Sequence, residues 1–341
     1  MKLAILDDYQ SISPAYFDPL RPRLTTISYY PDTLNPHDPL QHEALIARLQ
    51  PYDIIMTMRE RTPFSSSTLS RLPNLKLLLT TGSRNLALDA TYAASRGIPV
   101  AGTSARPVGV HSTVQHTWAL ILALARGVAR DDAAIKRGEW QGSELGISLA
   151  GKTLGVLGLG KLGTGVARIA AQGFGMQVIA WSTNLTQEKA DEVAREAGLV
   201  AGSIKVSATK AEFFAAVDVV SLHSVLSERS RGIVGVEELK GMKKSALLVN
   251  TSRGPLIDQD ALLETLSGGG IWGAALDVFE TEPLPKDSPW RTTSWGEYGR
   301  SQVLLTPHTG YLDEQIRGWY KEAAENLEKW LDGKELSVRL N

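Results

Sequence analysis

The stretch Leu154-Gly155-Val156-Leu157-Gly158-Leu159-Gly160-Lys161-Leu162-Gly163 is the most legible in the chain, and its reading decides the fold class. The apolar run Thr153–Leu157 reads as a buried strand, Thr164 to Gln172 reads as a helix, and Gly158, Gly160 and Gly163 between them fit G-x-G-x-x-G. In such a strand–turn–helix the first glycine permits the tight turn, the second lets the backbone approach a pyrophosphate, and the third lets helix and strand pack closely. The helix start adds N–H groups and a positive dipole end for the phosphates. A glycine-rich turn of an ordinary α/β domain is the plainer reading of the glycines alone, and it is the flanking strand and helix that favour a dinucleotide site. No Gly-Lys-Ser/Thr closes the loop, so the pattern of nucleotide triphosphatases is absent.

Outward from that turn, short apolar runs alternate with helical patterns. Leu3–Leu6, Asp53–Thr57, Leu75–Thr80 and Ile98–Ala101 form a first series of strand candidates. Thr153–Leu157, Gln177–Trp181, Asp218–Leu222, Ala246–Asn250, Gly273–Leu276 and Val303–Leu305 form a second. The runs are apolar on both faces, as in parallel strands covered on both sides, so the chain is expected to be α/β with doubly wound parallel sheets. A long helix, opened by Pro107 and running from about Val108 to Ala129, separates the two series. Its greasy stretch Trp118–Ala125 fits either a helix buried between two layers or one that also carries a dimer interface. Glu280–Arg300, rich in Pro, Trp, Ser and Thr, reads as a loop, and Asp313 to Leu331 as an amphipathic helix.

The 341 residues carry 36 Lys+Arg and 37 Asp+Glu, a net charge of −1. That balance gives no basic excess for nucleic acid or an anionic membrane surface, so neither is an expected partner. The absence of cysteine excludes disulfides, thiolate metal sites and a cysteine nucleophile, and no metal site is expected. The opening apolar run, Leu3 to Leu6, is too short for a signal peptide, and a cytoplasmic location is the expectation.

Past the second strand of the dinucleotide unit stand Ser182-Thr183-Asn184, where a carboxylate would bond the ribose hydroxyls of NAD. Hydroxyls and an amide in its place remove the repulsion of a 2′-phosphate. NADP is therefore favoured slightly over NAD, although no arginine sits beside the position.

Three later segments set polar residues just past apolar strands: Asn250-Thr251-Ser252-Arg253-Gly254, Asp277-Val278-Phe279-Glu280-Thr281-Glu282, and Thr306-Pro307-His308-Thr309-Gly310. Taken singly, each has a plain explanation: a surface salt bridge for Arg253, a solvated turn for Glu282, a structural histidine for His308. Together they make a chemical set of a planar fixed cation, a titratable imidazole and a carboxylate to tune it.

With these motifs the chain resembles the D-isomer-specific 2-hydroxyacid dehydrogenases, which include glyoxylate/hydroxypyruvate reductases and phosphoglycerate dehydrogenases. The resemblance covers essentially the whole chain and rests on Gly158–Gly163, Val219–His223, Asn250–Gly254, Leu276–Phe279 with Glu282-Pro283, and Thr306–His308. It implies a Rossmann NAD(P)-binding domain at about 105–308, inserted into a flavodoxin-like substrate domain made of about 1–104 and 309–341, with the active site in the cleft between them. It implies a hydride transfer between NAD(P) and a small 2-oxo or D-2-hydroxy acid. Arg253 would anchor the carboxylate and carbonyl, His308 would give and take the proton, and Glu282 would pair with His308. The cofactor would be held by Gly158, Gly160, Lys161, Leu162, Gly163, Ser182, Thr183, Asn184, His223, Thr251, Ser252, Asp277 and Gly310. Gly82, Ser83, Arg84 and Arg59 would bind substrate, successive backbone amides of the 82–84 loop holding its carboxylate. A homodimer formed through the cofactor domain is implied as well. His116 is read as structural, and the bulky Trp290 and Tyr311 as candidate walls of an apolar substrate pocket. The rival readings are a phosphoglycerate dehydrogenase and, from another class, a non-catalytic dinucleotide-sensing protein on the same fold.

Overall fold

The apolar runs read as strands form two parallel sheets. The structure is a computed structural model and describes residues 1–36, 38–104 and 110–341. By the contacts along the chain it divides into two compact units: Met1–Pro107 with Thr281–Pro283 and Asp313–Asn341, and Val108–Glu280 with Leu284–Leu312. The expected opening of the long helix at Pro107–Val108, and the expected boundary after residue 104, lie outside the described residues.

The first unit contains β1 (Lys2–Leu6), β2 (Thr26–Tyr30), β3 (Ile54–Thr57), β4 (Leu77–Thr80) and β5 (Val100–Ala101) in the order β2-β1-β3-β4-β5, all parallel. This is the doubly wound flavodoxin-like order. The second unit contains β6 (Thr153–Leu157), β7 (Gln177–Trp181), β8 (Ile204–Val206), β9 (Val219–Leu222), β10 (Leu247–Asn250), β11 (Gly273–Leu276) and β12 (Gln302–Leu305). Their order is β12-β11-β10-β9-β6-β7-β8, again parallel throughout. The direction of winding reverses between β6 and β9. Ligands of open α/β sheets bind at such a switch, outside the carboxyl ends of the strands.

Two hydrophobic clusters explain why the strands are apolar on both faces. Leu154, Val156, Val219, Leu247 and Val249 enter one cluster, and the alternate residues Leu157, Val220, Leu222 and Leu248 enter the other. The strand period of two thus sends successive side chains into different cores.

The structure corrects the sequence reading in four places. β2 and β8 were not expected; both are edge strands, β2 only partly buried after Ile27 and β8 just three residues long. The long helix covers Ser112–Arg126 and ends at Gly127, which takes φ 66° in the left-handed region, and a second helix runs Val128–Lys136. Glycine caps a helix there because it has no Cβ to clash. Glu280–Arg300 is not loop throughout: Trp290 lies on a four-residue helix, Pro289–Thr292, 2% exposed within a core cluster, its indole N–H 3.3 Å from Gln259 Oε1. The terminal helix spans Ile316–Leu331, three residues shorter at its start than expected, and buries Ile316, Tyr320, Ala323 and Leu327 in the first unit.

Candidate functional site

The glycine turn has the geometry that a pyrophosphate cradle needs. Gly158 sits at φ 102°, and a Cβ there would lie 2.8 Å from the Ser224 amide nitrogen and 2.9 Å from the His223 carbonyl carbon. A Cβ at Gly163 would lie 2.2 Å from the Gly158 carbonyl oxygen, so the helix start and the turn can meet only at a glycine. Gly160 faces open space. It precedes the Lys161–Phe174 helix, and no side chain caps that helix start. Lys161 is exposed and Leu162 half-buried on the first turn. The chain therefore fits a dinucleotide: a turn that only glycine permits, an open approach at the second glycine, and helix amides left to an anionic ligand.

Around that turn, Ser182, Thr183 and Asn184 follow β7, and among the described residues their side chains take part in no hydrogen bond. His223 closes the other side of the switch. Its amide donates to the Leu157 carbonyl at 2.8 Å, and its Nε2 lies 2.8 Å from Ser221 Oγ.

Arg253 follows β10 on a turn fixed by Asn250. Asn250 Nδ2 donates to the Arg253 carbonyl at 2.9 Å, and its Oδ1 accepts from the Ser252 amide at 3.0 Å. Ser252 Oγ donates to the Ser224 carbonyl at 2.8 Å, and the Thr251 and Thr117 hydroxyls lie 2.8 Å apart. A Cβ at Gly254 would lie 2.0 Å from the Phe279 carbonyl carbon, so two backbones touch directly beside Arg253. Asn250 was not singled out in the sequence, though an Asn ending a strand two residues before a Ser is a recognisable side-chain-to-backbone turn.

Asp277 follows β11, 1% exposed. Its Oδ1 accepts from Thr306 Oγ1 at 2.6 Å and from the Thr309 amide at 2.9 Å, and lies 3.2 Å from His116 Nε2; its Oδ2 accepts from the Gly310 amide at 2.9 Å. Burial pushes this carboxyl up, but the hydrogen bonds from His116, Thr306 and Thr309 outweigh it and hold the group below the usual carboxylate range. Oδ2, with one donor among the described residues, retains capacity for another. His308 sits in the turn that Asp277 ties down, at φ 55°, its ring edge-on to Tyr311 with centroids 5.8 Å apart. Arg253, Asp277 and His308 thus stand past β10, β11 and β12 of one sheet, in the unit that holds the glycine turn. Glu282 is grouped with the first unit.

In that first unit Gly82 follows β4 at φ 87°, its amide donating to Thr103 Oγ1 at 2.8 Å. Ser83 and Arg84 next to it are exposed. Arg59 follows β3 at φ 48°, with its guanidinium against the Trp319 ring, and a Cβ at Gly82 would lie 3.3 Å from its Nη1. Arg59 and the 82–84 loop are therefore neighbours.

Two groups give opposed pH dependences. Burial pushes the Asp7 carboxyl up to about 6, against the hydrogen bonds from Thr33 and Thr62. The folded chain keeps that proton after the unfolded chain has released it near 3.8. The stability Asp7 contributes is complete below about pH 4 and lost as pH rises to about 6, by about 3 kcal/mol at most. Desolvation lowers His223 from 6.5 to about 4, so its contribution is complete above pH 6.5 and lost as pH falls toward 4. The two slopes oppose each other in one window. Asp7→Asn is expected to make stability rise with pH between 4.5 and 6.5, and His223→Gln to make it fall; urea unfolding at both pH values checks this, and parallel slopes for the two variants would refute it.

Residues 118–310 match the family model for the D-isomer specific 2-hydroxyacid dehydrogenase NAD-binding domain. The chain is 34% identical over 309 residues to a glyoxylate reductase of Aeropyrum pernix, covering 87% of this chain and 85% of that one. It is 35% identical over 299 residues to a D-3-phosphoglycerate dehydrogenase of Methanocaldococcus jannaschii, covering 86% of this chain but 52%, about half, of that longer one. The solved structure of a phosphoglycerate oxidoreductase from Vibrio cholerae O395 superposes with a TM-score of 0.82 at 33% identity, over 98% of this chain and 99% of that one. No helix among the described residues is long and apolar enough to cross a membrane.

Proposed function

The chain belongs to the D-isomer-specific 2-hydroxyacid dehydrogenase family, oxidoreductases that use a nicotinamide dinucleotide, and from that premise we propose that it reduces a small 2-oxo acid, with Arg253 as substrate anchor and His308 as proton donor. The observation that carries this reading is the row of Arg253, Asp277 and His308 past three neighbouring strands, in the unit that holds the Gly158–Gly163 cradle.

When bound, the dinucleotide supplies the hydride. The chain's own residues do the rest. Arg253, always charged and planar, orients the carboxylate and carbonyl and stabilises the negative charge that develops on oxygen. His308 delivers a proton to that oxygen and in the reverse direction removes it from the hydroxyl. Glu282 is the proposed hydrogen-bonding partner of His308. Asp277 Oδ2, with its remaining lone pair, is suited to accept from a carboxamide. In the first unit, the amides of Ser83 and Arg84 and the side chain of Arg59 are the proposed carboxylate ligands. The polar, uncharged Ser182-Thr183-Asn184 supports a preference for NADP over NAD.

Mixing the protein with NADPH or NADH and a panel of glyoxylate, hydroxypyruvate, phosphohydroxypyruvate and bulkier apolar 2-oxo acids tests the reading by loss of reduced-cofactor absorbance. Turnover with small acids, favouring NADPH and abolished in His308→Ala, is expected. Turnover confined to phosphohydroxypyruvate would instead make the enzyme a phosphoglycerate dehydrogenase. Binding of both cofactors without any turnover would move the reading to a dinucleotide sensor.

We also propose a homodimer formed through the second unit. Val128, Ile135, Trp140 and Leu145 follow the buried Ser112–Arg126 helix, and Trp140 and Leu145 are 78% and 89% exposed. Large exposed apolar side chains this close together along the chain are what an association surface would cover. Sedimentation velocity is expected to give a dimer for the native chain and a monomer for Trp140→Glu/Leu145→Glu; a native monomer at micromolar concentration would refute it.

A further inference from the structure

We infer that His116 is a positioning residue for proton transfer: from the Ser112–Arg126 helix it bolts down, through Asp277 and Thr306, the turn that holds His308. The inference rests on the proposed role of His308.

Among the described residues, four donors converge on the Asp277 carboxylate. Three belong to the turn itself: the Thr306 hydroxyl and the Thr309 and Gly310 amides. Among the described residues, the fourth is the one that comes from elsewhere in the chain: His116 Nε2, 3.2 Å from Asp277 Oδ1 and 3.1 Å from Thr306 Oγ1. An ionised carboxylate only accepts, so Nε2 must carry a proton to face it. Thr306 gives its single hydroxyl proton to Asp277, which leaves its oxygen lone pairs to accept from the same imidazole N–H. The ring also stands close beside the turn, since a Cβ at Gly310 would lie 3.3 Å from His116 Cδ2.

The turn needs this restraint. His308 lies at φ 55°, and its amide donates to the Thr306 carbonyl at 3.1 Å. A residue with a Cβ holds the left-handed region only where its surroundings over-determine it. Asp277 pins the turn on both sides of His308, and His116 ties that carboxylate to a helix whose Val114, Trp118 and Ile121 are in the core. Without His116, the donors that remain on Asp277 move with the turn they are meant to hold.

The test compares His116→Gln, His116→Asn, His116→Leu and His308→Ala in the full chain. A Gln amide nitrogen stands as many bonds from Cβ as His Nε2, whereas that of Asn stops one bond short. With glyoxylate and the reduced cofactor that wild type uses, His116→Leu and His116→Asn are expected to lose about 10- to 100-fold in kcat. The KM for the dinucleotide should stay within about twofold, and His116→Gln should recover most of kcat. In the ligand-free protein, hydrogen exchange at the Thr309 and Gly310 amides should be at least about tenfold faster in the Leu and Asn variants and near wild type in Gln. Wild-type kcat and exchange in His116→Asn or His116→Leu, or a Gln variant as impaired as Asn, would overturn the inference. An active His308→Ala would overturn the reading beneath it, whereas an inactive His308→Ala beside a fully active His116→Leu sinks this inference alone. Exchange needs no substrate, and Asn keeps the site polar should Leu fail to fold.

Discussion

Arg253→Ala is expected to lower kcat/KM for the 2-oxo acid about 1,000-fold, about 4 kcal/mol of transition-state stabilisation, while the dinucleotide binds as in wild type. The separation of the two effects follows from the geometry. The turn that presents Arg253 is closed by the Asn250 and Ser252 side chains through bonds that persist in the alanine variant, which loses the guanidinium's own bond to the Ser252 carbonyl at 2.7 Å. The close backbone approach at Gly254 likewise survives the substitution. The loss therefore falls on orientation of the substrate and on charge at its oxygens. Arg253→Lys keeps the charge without the planar fork and should recover only part of the loss. Steady-state kinetics with fluorescence titration of NADPH or NADH reads both quantities. Turnover unchanged in Arg253→Ala would remove the residue from the reaction, and equal loss of cofactor affinity would make it part of the dinucleotide site.

Gly163→Ala should produce the largest loss of cofactor binding. Its Cβ would stand 2.2 Å from the Gly158 carbonyl oxygen and 2.9 Å from Val156 Cγ1, and backbone oxygen cannot give way as a flexible side chain can. The helix start must move off the turn, which displaces the amides that would meet the pyrophosphate. Overpacking of this kind costs about 1–3 kcal/mol or more in stability. Gly160→Ala is the contrast, because its Cβ meets nothing within 4 Å among the described residues. It should unfold at the wild-type temperature yet bind the dinucleotide more weakly, since the added methyl lies where the pyrophosphate must approach. Thermal unfolding with and without cofactor separates the two cases. A Gly163→Ala protein stabilised by the dinucleotide as much as wild type would refute the cradle.

Where the sequence reading succeeded, the signal was local. The glycine spacing, the strand before it and the helix after it lie within twenty residues, and each apolar run records burial on both faces directly in its residue types. β2 and β8 escaped because edge strands lack that signature: β2, Thr-Ile-Ser-Tyr-Tyr, buries one residue fully, and β8, Ile-Lys-Val, is shorter than the pattern needs. The break at Gly127 was written in the glycine, but the apolar residues on either side masked it. Trp290 was misplaced for a different reason. A Pro- and Ser-rich setting reads as loop, and nothing local tells that the indole turns inward to a core cluster that draws on strands as distant as β6 and bonds Gln259, 31 positions away.

By itself, then, the sequence determined the α/β class, the glycine turn between β6 and its helix, and the identity of the polar residues that end β10, β11 and β12, because those are properties of short segments. Tertiary structure alone decided what those residues do to one another. His116 and Thr306 are 190 positions apart, and their meeting on Asp277 depends on how a helix packs against a sheet. The left-handed backbone of His308 lies in the turn that the same carboxylate holds through Thr306, Thr309 and Gly310. Pattern reports which side chains are buried, whereas the partner of a buried polar group is settled only when distant segments are brought together and its hydrogen bonds must be satisfied.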